Sequence, residues 1–408
     1  MKRIIQIVVL LIVIIPAYLY YSGLATKTSI IEIQGKKDSI ITISISFVGD
    51  LMCHSTQFNY AYVEEDSFDF NGVFSEVKKY FNVSDFTIGN LETVFAGKEL
   101  GYSGYPFFNA PDDFLFALKE AGFDFLITAN NHALDQGEKG VRRTIYKLDE
   151  LEIKHTGTFL SEKDRTSYKK YSINGIDVAI IAYSYGTNDV PIPKGKNYLI
   201  NLIDTIFIKE DISNVKKLNP DITLVYFHFG EEYTRSPDSF QEEVVQKTIE
   251  YGADIIIGSH PHVIQPVNYF KTNNGNIDTG FVAYSLGNFI SNQRWRYTDV
   301  GVILTMDITK NFTKDSVYIN AVNILPTWVY KGDTKKGKGY IILPASIESD
   351  HPVMNYLTEE DKFKMHQAFS DTDSILSRKY NDIPIVIRNH KDKPYSDYKS
   401  QSALQRPK

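Results

Sequence analysis

The feature that most constrains the fold of this chain is a repeated unit, in which an apolar, β-branched run ends in polar residues. The unit occurs in IITISISFVGD, SDFTIGNLET, FDFLITANNH, DVAIIAYSYG, DITLVYFHFGEEY, ADIIIGSHPHV and TGFVAYSLGNFIS. Two amphipathic segments with helical spacing, EKGVRRTIYKLDELEI and SFQEEVVQKTIEYG, lie between these runs. This alternation predicts an α/β layered domain, with functional residues on the loops at the carboxyl ends of the strands.

The composition of the 408 residues excludes several kinds of site and partner. The net charge is −6 and no run of Lys and Arg forms a basic face, so we expect no nucleic-acid partner. One cysteine, Cys53, cannot form an intramolecular disulfide or a Cys-based zinc or iron–sulfur site. We expect Cys53 to be a small packed residue.

The N-terminus predicts a membrane segment. Two basic residues precede an apolar run from Ile4 to Tyr21, close to the roughly 20 residues that span a bilayer. The basic flank predicts a cytoplasmic N-terminus. We therefore expect residues 1–25 to form an uncleaved, single-pass signal-anchor, with the domain outside the cytoplasm. Cleavage near Gly23 or Ala25 is the alternative, and it would give a secreted or periplasmic protein.

The remaining chain divides into four predicted regions. Residues 26–39 are mostly polar and predict a linker, and residues 40–310 hold the repeated units. Residues 311–390 contain further strand-like runs and a predicted helix, and we expect them to form a β/helical extension that packs on the main domain. Residues 391–408 predict a disordered tail.

The polar residues that end the predicted strands are oxygen and imidazole ligands of the kind that bind divalent metals. Each alone is consistent with a capped turn or an ordinary buried histidine, but five such endings in one chain indicate a metal or polar active site. Residues two apart on an extended segment point the same way, so the two histidines of GSHPHV can share a site. A glycine before several of these residues is expected to let the backbone turn sharply. The residues are Asp50, Asn90, Glu92, Asn130, Asn131, His132, His228, His260 and His262.

Six segments, FVGDLM, IGNLET, ANNHALDQG, HFGEEY, GSHPHVIQP and YSLGNFI, carry a family resemblance. From about Ser44 to Pro344 the chain resembles the CapA family of capsule-biosynthesis or poly-γ-glutamate-synthesis proteins. The resemblance implies a calcineurin-like metallophosphoesterase fold, with two packed mixed β-sheets flanked by helices. It also identifies residues 40–310 as a CapA-type metallophosphatase-like domain.

The resemblance implies a role for each matching residue. His132 corresponds to the catalytic histidine that protonates the leaving group, and the adjacent Asp135 and Gln136 are candidates to orient it. The implied cofactor is a divalent metal, Mn²⁺, Fe²⁺ or Zn²⁺, as one or two ions. The implied ligands are Asp50, Asn131, His228, His260 and His262. The candidate substrate-binding or supporting residues are Asn90, Asn130, Glu232, Tyr233 and Asn288.

Two departures from the family pattern fall on the first two strands. Met52 stands where the family has a histidine ligand, and a thioether is a poor ligand for hard cations. Asn90 replaces the aspartate that bridges two metals, and Glu92 is a candidate to reach in instead. His54 lies further along the loop and is a weaker candidate to compensate. These changes predict weaker metal binding, a single ion, or a different pair geometry.

Three functions remain open at this point. The resemblance implies an exported, membrane-anchored protein of capsule or poly-γ-glutamate biosynthesis. Its metallophosphatase-like hydrolase centre would act on an extracellular polymer or phosphoester, with a polymer-synthase membrane complex as a candidate partner. The alternatives are a phosphoesterase with an unrelated substrate and a non-catalytic polymer-binding scaffold. Met52 and Asn90 favour the scaffold, whereas His132, His260 and His262 favour catalysis.

Overall fold

The structure is a computed structural model that describes residues 40–347, 349–376 and 385–388. The predicted membrane segment, the linker and the C-terminal tail lie outside the described residues. Among the helices of the described part, none is both long enough and apolar enough to cross a membrane.

The described part contains seventeen strands, eight α-helices and four short 3₁₀ helices. The strands are β1 (Ile40–Leu51), β2 (Tyr62–Glu64), β3 (Ser67–Phe68), β4 (Phe86–Leu91), β5 (Phe125–Ile127), β6 (Lys154–Thr156), β7 (Lys170–Ile173), β8 (Ile176–Ser184), β9 (Ile222–His228), β10 (Ile255–Ser259), β11 (Val267–Lys271), β12 (Thr279–Ala283), β13 (Asn288–Ile290), β14 (Val300–Asn311), β15 (Ser316–Thr334), β16 (Gly337–Pro344) and β17 (Ile385–Ile387). The α-helices are α1 (Ser55–Ala61), α2 (Lys78–Phe81), α3 (Asp112–Ala121), α4 (Gly137–Glu150), α5 (Glu162–Arg165), α6 (Thr205–Lys216), α7 (Ser239–Tyr251) and α8 (Glu359–Leu376). The 3₁₀ helices are Asn71–Phe74, Lys98–Leu100, Asn197–Leu199 and Pro352–Asn355.

Two mixed sheets carry the fold. Within the described residues, the first sheet has the order β16-β15-β14-β1-β4-β5-β6, with β13 added beside β1 and β17 beside β15. The second has the order β11-β12-β10-β9-β8-β7. Strands β1, β4, β5 and β6 are parallel, and so are β8, β9, β10 and β12. The carboxyl ends of the parallel strands therefore lie along one edge of each sheet, where the predicted site residues are.

The core lies between the two sheets and on their outer faces. Ile45 and Phe47 of β1 belong to one buried apolar cluster with Leu224 of β9, so the sheets face each other. Phe114 of α3 packs in a second cluster on the other face of the first sheet. Ile212 of α6 packs in a third, on the other face of the second sheet. The layers are helix, sheet, sheet and helix, which confirms the expected arrangement of two packed mixed sheets flanked by helices.

The sequence periodicity gives the physical reason for these elements. Along β1, alternate side chains such as Ile43, Ile45 and Phe47 point into the layer between the sheets, as the two-residue period of a strand requires. Helix α7 ends at Tyr251 and is capped by Gly252, which has the left-handed conformation (φ +103°) that glycine adopts without strain. Strand β15 pairs with β14 from Ser316 to Trp328, so the region after residue 310 continues the first sheet.

The glycines that precede the site residues allow a neighbouring backbone to approach closely. Gly49, Gly89 and Gly258 all have negative φ, so the expectation of a sharp turn at these positions is wrong. A Cβ on Gly49 would lie 1.9 Å from the carbonyl oxygen of Gly287, and one on Gly258 would lie 2.1 Å from that of Tyr284. Glycine is required there because a neighbouring backbone approaches too closely for any side chain.

The close approach at Gly258 gives a testable consequence for stability. Gly258→Ala forces the Tyr284 backbone to move, and we expect it to lower the free energy of unfolding by about 1–3 kcal/mol. Gly72→Ala is the matched control, because a Cβ at Gly72 would meet nothing within 4 Å. Urea unfolding of both variants measures the difference. Equal midpoints for the two variants would contradict this account of Gly258.

Candidate metal centre

The carboxyl ends of the parallel strands bring the predicted ligands into one buried cluster. Asp50 lies at the end of β1, His228 ends β9, and Glu92 directly follows β4. The loops after β5 and β10 supply the remaining residues. Each side chain of the cluster is at most 3% exposed; its members are Asp50, Asn90, Glu92, Asn130, Asn131, His132, His228, His260, His262 and Asn288.

Asp50 and His262 form a fixed pair. The Nδ1 of His262 lies 3.1 Å from Asp50 Oδ2 and 3.1 Å from Asn288 Oδ1. Both oxygens are acceptors, so Nδ1 is the nitrogen that donates to them, and Nε2 lies 3.9 Å from Glu92 Oε1. Burial alone would raise the pKa of Asp50, but hydrogen bonding and charge from His262 bring it below its usual value. Asp50 is therefore held as a carboxylate.

Glu92 places a buried carboxylate in the centre without hydrogen bonds from the described residues to its oxygens. Its carboxylate is fully buried, and neither oxygen has a hydrogen-bond partner among the described residues. Its Oε1 lies 3.5 Å from His228 Nε2 and 3.9 Å from His262 Nε2. Burial, followed by the charge of nearby Asp50, raises the pKa of Glu92 well above its usual value. An unpaired buried carboxylate beside another is costly unless a cation balances the two.

Asn90 and Asn131 flank His228 on either side. The Asn90 amide donates to Asp50 Oδ1 at 2.8 Å and lies 3.2 Å from His228 Nδ1. His228 Nε2 lies 2.9 Å from Asn131 Oδ1, so the two asparagines fix the imidazole ring. Burial, and then the neighbouring His260 and His262, lower the pKa of His228 well below its usual value. The ring is therefore neutral, as a metal ligand must be.

His132 lies beside the cluster and has a separate set of partners. Its Nδ1 is 2.7 Å from Asp135 Oδ2, which also accepts the backbone N–H of Phe108 at 2.7 Å. The backbone N–H of His132 donates to Asn130 Oδ1, and the Asn130 amide donates to the carbonyl oxygen of Leu91. These bonds orient the imidazole and tie its loop to β4.

His260 and His262 share the site, but for a different reason from the one expected. The extended backbone ends at Ser259, and His260 and His262 have φ values of +102° and +58°. The assumption of an extended segment is therefore wrong. A strained loop, rather than strand alternation, brings the two ring centroids to 5.8 Å. Burial, followed by His262, lowers the pKa of His260 to about 3, so this imidazole is also neutral.

Glu232 and Tyr233 lie at the exposed mouth of the cluster. Glu232 forms a potential ligand set with His260 and His262. The Tyr233 ring centroid lies 6.0 Å from that of His262, and its backbone N–H donates to the carbonyl oxygen of Pro261 at 2.8 Å. The structure therefore brings both residues to the mouth of the centre. Gln136, by contrast, donates to the carbonyl oxygen of Phe108 and does not orient His132.

Met52, Cys53 and His54 directly follow the first strand, and neither Cys53 nor His54 belongs to a potential ligand group. Met52 and Cys53 are buried, and Cys53 packs in the outer core as expected. His54 Nδ1 lies 3.1 Å from Gln57 Oε1 and receives the backbone N–H of Asn292 at 3.3 Å. Burial lowers the pKa of His54 to about 4. His54 therefore organises the start of α1, and the structure does not bring it into the centre.

Two residues at the centre were absent from the predicted set. The Tyr185 ring centroid lies 4.5 Å from that of His260, and the amide of Asn188 lies 3.4 Å from His132 Nε2. Asn188 also accepts the Asn131 amide at 3.1 Å. Both residues follow β8, whose sequence DVAIIAYSYG is one of the repeated units. The polar residues that end this unit could have indicated a site residue, but the unit ends without a charged or imidazole side chain.

The donor set fits a divalent cation. Three overlapping groups of side chains each offer ligand atoms within 4.8 Å of one another, and Glu92 belongs to two of them. Buried atoms without a hydrogen-bond partner among the described residues include both Glu92 oxygens, Asn90 Oδ1 and His260 Nδ1. A mixed carboxylate and imidazole set suits Mn²⁺, Fe²⁺ or Zn²⁺. The groups are Glu92–His228–His260, Asp50–Glu92–His262 and Glu232–His260–His262.

Known proteins share this sequence pattern. "Capsule biosynthesis protein CapA" of Bacillus anthracis is 28% identical over 302 residues, which cover 72% of this chain and 69% of that protein. "PGA biosynthesis protein CapA" of Bacillus subtilis (strain 168) is 30% identical over 303 residues, which cover 71% and 73%. Among solved structures, Haemophilus influenzae NAD nucleotidase (NadN) is 14% identical with a TM-score of 0.44. The matched region covers 90% of this chain and 68% of the nucleotidase chain. A similarity at that level carries no argument about activity.

The family assignment rests on a family model described as "Bacterial capsule synthesis protein PGA_cap", which matches residues 44–293. That span contains every candidate ligand of the centre. It covers more than half of the chain, and the CapA relatives agree with it. The expected CapA resemblance is confirmed, and the chain belongs to the PGA_cap family of bacterial capsule synthesis proteins.

Proposed function

We propose that this protein is a metal-dependent hydrolase of capsule or poly-γ-glutamate biosynthesis, acting on an extracellular polymer or a phosphoester. The observation that carries the proposal is Glu92, a fully buried carboxylate without a hydrogen-bond partner among the described residues, which shares potential ligand groups with three imidazoles. A scaffold that only bound polymer would gain nothing from this arrangement, which costs stability in the absence of a cation.

Asp50, Glu92, Asn131, His228, His260 and His262 are the proposed ligands, and Glu92 is the proposed bridge. Two of the three ligand groups share Glu92, so Glu92 would take the place of the bridging aspartate for which Asn90 is substituted. Divalent ions in such a centre supply Lewis acidity toward a phosphoryl or carbonyl oxygen. Asn90 holds Asp50 and His228 in place through its amide.

His132 is the proposed proton donor to the leaving group. Its Nδ1 is bound to Asp135 at 2.7 Å, so a proton on Nε2 is the one available for transfer. Asp135 is a positioning residue that holds the ring in place. His132 belongs to none of the three ligand groups, which separates proton transfer from metal binding.

We also propose that the domain is anchored at the outer face of the cell membrane. The apolar run from Ile4 to Tyr21, which lies outside the described residues, is the sequence feature that supports this anchor. An anchored domain would work beside a polymer-synthase complex in the same membrane. A phosphoesterase with an unrelated substrate is the second candidate, and the chemistry of the centre favours it equally. Substrate tests, rather than metal binding, separate the two.

The test of the proposed function is hydrolysis by metal-loaded protein. We expect the chain to cleave a generic aryl phosphodiester or a γ-glutamate oligomer in the presence of Mn²⁺, and to lose this activity in EDTA. Cleavage of the phosphodiester alone would favour the phosphoesterase. If metal-loaded protein cleaves neither compound but binds polymer, the scaffold function is correct and the proposed hydrolase is wrong.

His260→Ala removes a proposed ligand and is expected to reduce bound metal. His260 belongs to two of the three ligand groups, so its loss should lower metal affinity by about 10-fold or more. Elemental analysis of the purified variant, with His155→Ala as a control for loss of a histidine far from the cluster, measures the change. Full metal content in His260→Ala would exclude His260 from the ligand set.

A further inference from the structure

A tight turn after β8 carries Asn188 to the mouth of the metal centre. The turn comprises residues 187–190, and the Val190 N–H donates to the carbonyl oxygen of Thr187 at 2.9 Å. Both central residues have positive φ, +49° for Asn188 and +61° for Asp189. Asparagine and aspartate tolerate this conformation, so the backbone of the turn has a local explanation. That explanation does not account for the contacts of the Asn188 side chain.

The Asn188 side chain contacts two residues of the loop after β5. Its Oδ1 accepts the Asn131 amide at 3.1 Å, and its own amide nitrogen lies 3.4 Å from His132 Nε2. The Tyr185 hydroxyl also donates to Asn188 Oδ1, at 3.4 Å. Because two donors face Oδ1, the amide nitrogen is the end that faces His132. Strands β5 and β8 belong to different sheets, so Asn188 joins the two sheets at the centre.

The contact with Asn131 bears on metal binding. Asn131 Oδ1, the proposed ligand atom, lies 2.9 Å from His228 Nε2. An amide side chain has one oxygen and one NH₂ group, and only the oxygen is a metal ligand. A reversed Asn131 amide would set its oxygen against Asn188 Oδ1, and two acceptors repel each other. Asn188 therefore selects the orientation in which Asn131 presents its oxygen to the other ligands.

The contact with His132 bears on proton transfer. Asp135 binds Nδ1 at 2.7 Å, and the Asn188 amide faces Nε2, the nitrogen that the proposed reaction uses. The Phe108 ring packs nearly at right angles to the His132 ring, with centroids 4.7 Å apart. The imidazole is thus contacted at both nitrogens and on the side of its ring. Asn188 supplies the contact that lies nearest to the reacting position.

We infer that Asn188 is a positioning residue that sets the ligand Asn131 and the proton donor His132 relative to each other. Its oxygen orients the ligand amide, and its NH₂ group orients the imidazole. The expected effect on turnover rests on the proposed function. The effect on the two side chains holds without a reaction, so it has a test of its own. Asn188 is exposed, and its substitution should leave the core unchanged.

Two variants separate the two contacts. Asn188→Gly deletes the side chain and suits the left-handed backbone, and we expect Mn²⁺ affinity and kcat each to fall by about 10-fold or more. Asn188→Asp keeps an oxygen to accept the Asn131 amide, so Mn²⁺ affinity should recover to within about threefold of the wild type. Its kcat should stay low, because a carboxylate would compete with the leaving group for the Nε2 proton of His132. KM should change less than kcat in both variants.

Asn219→Gly is the matched control. Asn219 is also exposed and has a φ of +50°, but it precedes β9 and therefore lies at the edge of the sheet opposite the centre. Calorimetry with Mn²⁺ and steady-state kinetics with the aryl phosphodiester give both quantities for each variant. Wild-type affinity and kcat in Asn188→Gly would overturn the inference. Equal losses in Asn219→Gly would overturn it as well.

NMR spectra of ¹⁵N-histidine-labelled protein in EDTA test the inference without metal or substrate. The His132 ring nitrogens, assigned with His132→Gln, should shift in Asn188→Gly. Those of His351, which pairs with Glu76 outside the centre, should not. If His132 shifts but the wild type binds no metal, the proposed hydrolase falls and the positioning role stands. If His132 does not shift, the inference is wrong, whatever the metal content and activity.

Discussion

Glu92→Gln is expected to abolish tight metal binding and, in the same variant, to make the metal-free protein more stable than the wild type. The two effects have one cause. The carboxylate is buried beside Asp50, and its hydrogen-bonding capacity is unfilled within the described residues, so it destabilises the fold unless a cation is present. Glutamine keeps the shape and removes the charge, which relieves the repulsion and deletes the proposed bridging ligand.

The pH dependence of the metal-free proteins gives the sign of this effect. Burial raises the pKa of Glu92 in the folded state above its usual value of 4.5, so the unfolded chain releases this proton first as the pH rises. The contribution of Glu92 to stability is therefore complete below pH 4.5 and is lost as the pH rises through the folded-state pKa. Glutamine has no proton to release, so the advantage of the variant should grow with pH over this range.

Thermal unfolding with and without Mn²⁺ measures both effects. At a metal concentration about 100-fold above Kd, the wild type should gain about 2.7 kcal/mol of stability, and Glu92→Gln should gain almost nothing. Glu231→Gln, which removes an exposed carboxylate on the nearby loop, is the control and should respond like the wild type. A metal-free Glu92→Gln protein that is less stable than the wild type at neutral pH would contradict the assignment of strain to Glu92.

His132→Ala is expected to reduce turnover by about 10²–10⁴-fold while leaving metal content unchanged, because a positioned proton donor contributes a factor of this size. The imidazole is bound to Asp135 and belongs to none of the ligand groups. The variant must therefore separate chemistry from metal binding. Steady-state kinetics and elemental analysis on one preparation give both quantities.

Asp135→Asn provides the graded control for His132. The amide replaces the carboxylate that positions the ring, and we expect a smaller loss of about 10–100-fold with full metal content. A leaving group of low pKa needs no proton, so such a substrate should restore much of the activity of His132→Ala. Loss of metal from His132→Ala, or equal losses with good and poor leaving groups, would exclude His132 as the proton donor.

The sequence was sufficient for the layered fold because the strands and helices follow local rules. The β-branched run that becomes β1 and the apolar stripe of Val141, Ile145 and Leu148 in α4 each carry their own periodicity. The site residues were predictable because they lie at the carboxyl ends of parallel strands, where side chains from distant segments must meet. Their contacts with one another were not predictable, since these depend on the register between strands.

Three features of the site could not be predicted from the sequence, because they depend on distances between segments that are far apart in the chain. The need for glycine at Gly49 and Gly258 comes from carbonyl oxygens of residues more than 20 positions away, and no local pattern reports such an approach. Tyr185 was not among the predicted residues, because its position 4.5 Å from the His260 ring depends on how the loops after β8 and β10 meet. The burial of Glu92 without a partner is likewise a property of the packed centre. It is this property that turns a departure from the family pattern into the proposed bridging ligand.

The most direct test of the central claim is the metal content of the purified wild-type protein after stripping with chelator and reloading with Mn²⁺, Fe²⁺ or Zn²⁺. Elemental analysis after removal of free ions gives the number bound per chain. The arrangement of Glu92 between two ligand groups predicts one or two tightly held ions, lost together in Glu92→Gln. A wild-type protein that retains none of the three metals would contradict the account.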